Sequence, residues 1–199
     1  MKEVSRSEYI TRLDSKRGNR MVKVITGIRR CGKSYLLFHL FRRHLMEQGI
    51  HDDHIIALAL DDFMNQQYLQ PEALYRYVTE RIKDNEMHYV WLDEIQLVEG
   101  FEAVLNGFLH RDNLDVYVTG SNSRFLSTDI ITEFRGRGDE IRVSPFRFAD
   151  ICTLYDEHPQ VLLSKYFRFG GMPQVWQTEK TEEREQYLTN LFENVYLSD

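Results

Sequence analysis

The sequence offers little to a membrane, to an oxidising compartment or to a polyanion. Its longest uninterrupted aliphatic run, Ile55 to Leu60, is far shorter than the roughly 20 residues of a bilayer-spanning helix, so no membrane partner is expected. Nothing in Met1-Lys2-Glu3-Val4-Ser5-Arg6 opens an apolar stretch, so no secretory leader is expected either. There are only two cysteines, Cys31 and Cys152, too few for a disulfide framework. The expected location is a reducing cytoplasm. A net charge of −6 excludes a protein that binds a polyanion over its whole surface. Internal repeats and low-complexity segments are also missing.

What remains is globular. The 199 residues are 42% hydrophobic, enough for one α/β domain with a sizeable core and a small appendage. The charge is uneven. Residues 1–35 hold ten Lys/Arg against three acids, while the rest of the chain is strongly acidic. Complementarity to a bound polyphosphate accounts for most of this, together with a solvated N-terminal helix. A local nucleic-acid or protein partner on Arg12, Lys16, Arg17 and Arg20 is the alternative.

The strongest signal is Gly27-Ile28-Arg29-Arg30-Cys31-Gly32-Lys33-Ser34, which fits G-x-x-x-x-G-K-[ST], a phosphate-binding loop. Glycines let successive N–H groups turn inward around an anion. Lys33 is placed for the β- and γ-phosphates and Ser34 for Mg²⁺. With Tyr35, these residues form the expected cofactor-binding set. The context agrees. Met21 to Thr26 reads as a strand, and Leu36, Leu37, Leu40, Phe41, His44 and Leu45 recur at helical spacing until Gly49. A helix N-terminus therefore faces the anion. Cys31 within the loop reads as a small filler rather than a reactive thiol.

Further strands are expected at Ile55–Leu60, Tyr89–Leu92, Val116–Thr119 and Glu140–Val143, and helices at Ser5–Leu13, Pro71–Asp84 and Phe101–His110. Strands alternating with helices predict crossover units and a mostly parallel five-stranded sheet. From Phe146 the pattern turns helical, broken at Gly170-Gly171-Met172-Pro173. The expected division is a core over residues 1–145 and a helical region over 146–199.

A hydrolytic triphosphate site also needs a carboxylate for the metal and a group that orients water. An apolar strand carries Asp93 to its C-terminal end, where ligands bind in such sheets. Asp93 is the expected metal ligand with Ser34, and Glu94 the water-orienting base. Asp61-Asp62 ends a similar strand and is the weaker candidate. Ser121 and Asn122, after the fourth strand, are candidates for contact with the γ-phosphate or the water, or simply cap a helix. Phe134-Arg135-Gly136-Arg137-Gly138 offers an arginine to the developing charge, from the same chain or a neighbour. His51-Asp52-Asp53-His54 reads as polar turn residues rather than a metal cluster. ATP is favoured as substrate, since no Asn/Thr-Lys-x-Asp element is present to read guanine.

The ordered set of Thr26 to Ser34, Leu92-Asp93-Glu94-Ile95-Gln96, Thr119-Gly120-Ser121, Gly136-Arg137 and Gly170-Gly171-Met172-Pro173 resembles the additional-strand, catalytic-glutamate division of P-loop NTPases. More narrowly, it is similar to the AAA-type ATPases of bacteria and archaea. The resemblance implies a three-layer P-loop fold, with the phosphate-loop strand between the fourth and fifth strands. It implies Mg²⁺-dependent ATP hydrolysis, prefers Arg137 to Arg135, allows a homo-oligomer with an intersubunit arginine, and sets Pro173 against the adenine. It also implies a second C-terminal domain, expected to be missing because Tyr196-Leu197-Ser198-Asp199 reads as mid-helix. A nucleotide-gated switch with slow hydrolysis and an ATP-driven DNA-processing protein are the rival readings; a small-molecule kinase fits less well.

Overall fold

The computed structural model describes residues 3–120 and 136–193. Strands β1 (Val22–Thr26), β2 (Ile55–Ala59), β3 (His88–Asp93), β4 (Leu114–Thr119) and β5 (Gly138–Arg142) form a five-stranded sheet in the order β2-β3-β4-β1-β5. Every neighbouring pair is parallel. All strand C-termini therefore share one edge, and β1 lies between β4 and β5 as expected.

Period-two alternation sorts the strand side chains onto two faces. Val24, Val90, Leu92, Val116 and Val118 join a core closed by helices α3 (Pro71–Thr79) and α4 (Phe101–Leu109). Ile25, Tyr89, Trp91, Tyr117 and Ile141 face the opposite side, under α1 (Ser7–Ser15) and the helix after the phosphate loop, α2 (residues 33–47). Helix, sheet and helix make the three layers. A third cluster holds α5 (Phe148–Leu154), α6 (Pro159–Phe169), α7 (Pro173–Gln177) and α8 (Thr181–Leu191) together around Ile151, Leu162, Val175 and Trp176.

Three helices depart from the sequence pattern. Helix α2 is α-helical over Lys33–Tyr35, π-helical over Leu36–Phe41 and α-helical again over Arg42–Glu47. The wider turn still buries Leu36, Leu37, Leu40 and Phe41, so apolar spacing alone does not reveal it. Helix α1 begins at Ser7, later than expected, because Arg6 adopts a left-handed backbone (φ 46°) as its N-cap. Helix α3 ends at Thr79, short of Asp84; the Lys83 N–H donates to His88 Nε2 at 3.1 Å instead of continuing the helical ladder. Among the described residues, no helix is long and apolar enough to cross a membrane.

Candidate functional site

Strand β1 delivers the phosphate loop at the C-terminal edge of the sheet. Gly27 has φ 147°, and a Cβ there would come within 2.2 Å of the Val143 carbonyl oxygen, so only glycine fits between β1 and the exit of β5. Gly32 turns at φ 98° into the first residue of α2. Arg30, at the loop tip, is left-handed (φ 64°) without being glycine. Lys33 is 4% exposed, and its ammonium donates to the Gly27 and Ile28 carbonyls at 3.0 and 3.3 Å. The loop thus curls around its own lysine. Cys31 is fully buried against Val143 and packs in the core, a filler role.

The acidic half comes from β3. Asp93 is 5% exposed and accepts hydrogen bonds from Thr119 Oγ1 on β4 and from Ser34 on α2. Burial pushes its carboxyl above the ordinary value; the two hydroxyls pull it back, and the nearby Glu94 and Asp61 charges raise it further. Glu94 leaves the strand in a left-handed conformation, φ 53°, its N–H donating to Thr119 Oγ1 at 3.1 Å. The Gln96 amide donates to its carboxylate. Arg29, Lys33, Ser34, Asp61, Glu94 and Gln96 all line one cavity of about 460 Å³.

A hydroxyl joined to a carboxylate, both oxygen donors, beside a glycine-bounded anion loop, suits Mg²⁺ and the phosphates it would accompany. The sequence separates Asp61 and Asp62 poorly; the fold does it well. Asp62 caps a short turn by accepting the Met64 N–H at 2.9 Å, while Asp61 lines the cavity beside the loop despite lying past the edge strand β2.

A second cavity, about 190 Å³, lies across Gly32 and is walled by Val4, Leu40, Phe146 and Pro173. Arg6 closes it. Its guanidinium donates to the Cys31 carbonyl of the phosphate loop (2.9 Å) and the Ser144 carbonyl beyond β5 (2.8 Å), and lies 4.7 Å from the Phe146 ring centre. Phe146 in turn donates its N–H to Gly171 at 2.7 Å, where a Cβ would clash at 2.0 Å. Pro173 thereby reaches the loop, its ring 3.9 Å from where a Gly32 Cβ would stand. Tyr35, expected in the cofactor-binding set, lines both cavities; nothing in composition or spacing marks Arg6 as a cavity residue, since it belongs to the basic N-terminal segment and looks solvated.

The structure does not bring Arg137 to this site. Its carbonyl accepts the Val22 N–H at 2.8 Å, at the start of β1 and β5, whereas the phosphate loop follows their far ends. Five strand residues, about 16 Å at the usual rise, lie between. The same-chain option is corrected accordingly: parallel register puts the arginine at the wrong edge. Ser121, Asn122 and Arg135 lie outside the described residues. The basic residues of the N-terminal segment are partly paired within the chain, Lys16 with Asp139, Arg17 with Asp14 and Arg20 with Asp112. The discounted His51–His54 stretch is likewise engaged, Asp52 with Arg42 and Asp53 with Lys83. His54, Asp84 and His88 do place ligand-type atoms within 4.8 Å of one another, but both His88 nitrogens already bond the Lys83 N–H and the Glu86 carbonyl.

Residues 19–152 match a family model described as an AAA domain. The chain belongs to this family of P-loop ATPases. Among curated relatives, an uncharacterized protein of Haemophilus influenzae is 31% identical over 98% of this chain and 50% of its own length. One from Methanocaldococcus jannaschii is 26% identical over 89% of this chain and 41% of its own. The AAA chain thus spans about half the length of the curated relatives it matches. Similar solved structures are Cdc6p from Pyrobaculum aerophilum (TM-score 0.53, 12% identity, 84% of this chain and 51% of that one). AMPPCP-bound DnaA from Aquifex aeolicus is comparable (TM-score 0.51, 12% identity, 98% of this chain and 63% of that one). These share the fold.

Proposed function

We propose that this AAA chain binds ATP with Mg²⁺ and hydrolyses it. One observation supports the reading above the others: Lys33 and Ser34 line a single cavity with Glu94, some sixty positions away, at the C-terminal edge of a parallel sheet, and the buried Asp93 is hydrogen-bonded to Ser34 beside it. Backbone N–H groups of the loop and the Lys33 ammonium hold the β- and γ-phosphates. Ser34 and Asp93 would hold Mg²⁺, which when bound offsets negative charge on the phosphate oxygens. Glu94, at the cavity wall, accepts a hydrogen bond from the attacking water and orients it. The cavity beside Gly32 takes the base, with Pro173 as one wall. That the similar DnaA carries AMPPCP agrees with a nucleotide here. Arg137, at the other edge of the sheet, acts on the nucleotide of a neighbouring subunit.

The test is a pair of variants. Lys33→Ala weakens ATP binding. Glu94→Gln keeps binding and lowers turnover by roughly 10²–10⁴. Wild-type hydrolysis by the Gln variant would refute the role of Glu94. A second reading, a nucleotide-gated switch with slow hydrolysis, draws support from the bond between Gln96 and the Glu94 carboxylate, which competes with water for that oxygen. Single-turnover rates with wild-type chain decide: turnover that rises on Gln96→Leu places the restraint there.

A further inference from the structure

The base cavity has more polar groups than free hydrogen-bonding capacity. Glu3 accepts from the Tyr35 hydroxyl at 2.5 Å and from Arg43 at 2.6 Å. That bond also occupies the Tyr35 donor. The Arg6 fork is committed to the Cys31 and Ser144 carbonyls. Gln177, the last residue of α7, lines the same cavity, and its amide has no partner among the described residues. It stands on the helix that begins with Pro173, so wall and amide are carried by one rigid turn.

A side-chain amide presents one donor and one acceptor side by side. Adenine matches it with its 6-amino donor and the adjacent ring-nitrogen acceptor. On the edge that carries N7, guanine and hypoxanthine show two acceptors, O6 and N7, and call for two donors side by side, which an amide does not present. We propose that Gln177 reads the base, pairing its amide with the 6-amino group of adenine and the neighbouring ring nitrogen. The proposal rests on the ATP reading above and adds the residue that sets base identity.

Equilibrium binding of three probes tests it: ATP, purine riboside triphosphate (which lacks the 6-amino group) and inosine triphosphate (which carries a 6-oxo group). The wild-type chain should bind ATP about tenfold more tightly than either analogue, the yield of one well-made amide pair. Gln177→Ala should bring all three to one affinity. Its affinity for purine riboside triphosphate, which keeps the ring nitrogen, should fall less than its affinity for ATP, and that retained binding certifies the fold and the phosphate loop. A Gln177→Ala variant that keeps the wild-type preference for ATP overturns the proposal, as does a wild type that binds the three alike. A wild type that binds none of them overturns the nucleotide reading itself, a separate and recognisable result.

Discussion

Thr119 is hydrogen-bonded to both members of the acidic pair: its hydroxyl donates to the Asp93 carboxylate and accepts the Glu94 N–H at 3.1 Å. One side chain on β4 therefore sets the register of the two groups that β3 contributes. Thr119→Val keeps the shape and removes both bonds. Turnover should fall about 10–100-fold, as when an outer partner of a metal ligand is lost. ATP affinity should change much less, since Lys33 and the loop are untouched. Steady-state kcat measured beside an equilibrium Kd separates the two.

Asp93 is a buried carboxyl raised above the ordinary 3.8 chiefly by desolvation. The native state therefore holds a proton that the unfolded chain releases, in a window starting near that value. Stability contributed by this group falls as pH rises through the window, the reverse of a salt-bridged carboxylate. Asp93→Asn should raise the neutral-pH stability of the nucleotide-free chain by about 1 kcal/mol, or 2–4 °C in Tm. The same variant should lose any Mg²⁺-dependent rise in Tm. Thermal scans at pH 5 and pH 7, with and without Mg²⁺, check both parts.

Lys23 and Asp115 form an ion pair inside the sheet, with side chains 0% and 2% exposed. Tyr117 and the Gly18 N–H donate to the other carboxylate oxygen at 2.9 and 3.1 Å. Asp115→Ala leaves a buried ammonium without its counter-charge and should cost about 3–5 kcal/mol. Replacing the pair together, Lys23→Met with Asp115→Leu, should recover most of that loss. Urea unfolding of the three chains measures it.

Cys31 is buried, and burial raises its thiol above the usual 9.0, while Cys152 is exposed. At pH 8 a small maleimide should label Cys152 rapidly and leave Cys31 unmodified in the native chain. Rapid labelling of both, read by mass spectrometry of peptides, would contradict the packing of the loop.

The sheet was largely legible from residue order because β-branched and aromatic runs bounded by turns have few other uses. The same holds for the phosphate loop, whose glycines meet specific backbone needs at Gly27 and Gly32. Side-chain fate was harder. Lys23 lies in a run read simply as a strand, and nothing local marks it as buried and paired, since its partner is 92 positions away. Arg6 reads as part of a solvated helix, although two backbone carbonyls far along the chain hold it. Arg137 lies close in sequence to the end of β4, yet parallel register carries it to the other edge. The π-helical turn in α2 leaves the apolar face unchanged and so leaves no trace in the pattern.

The separation of Arg137 from the phosphate loop gives the molecule a head and a tail. A contact that brings this arginine to another copy's phosphates joins the two opposite ends of successive sheets, so it repeats by translation and rotation instead of closing through a two-fold axis. Such an assembly has polarity. On the reading proposed above, each subunit of such an assembly would act on its neighbour's nucleotide, and a lesion at Arg137 would be felt one place down the line.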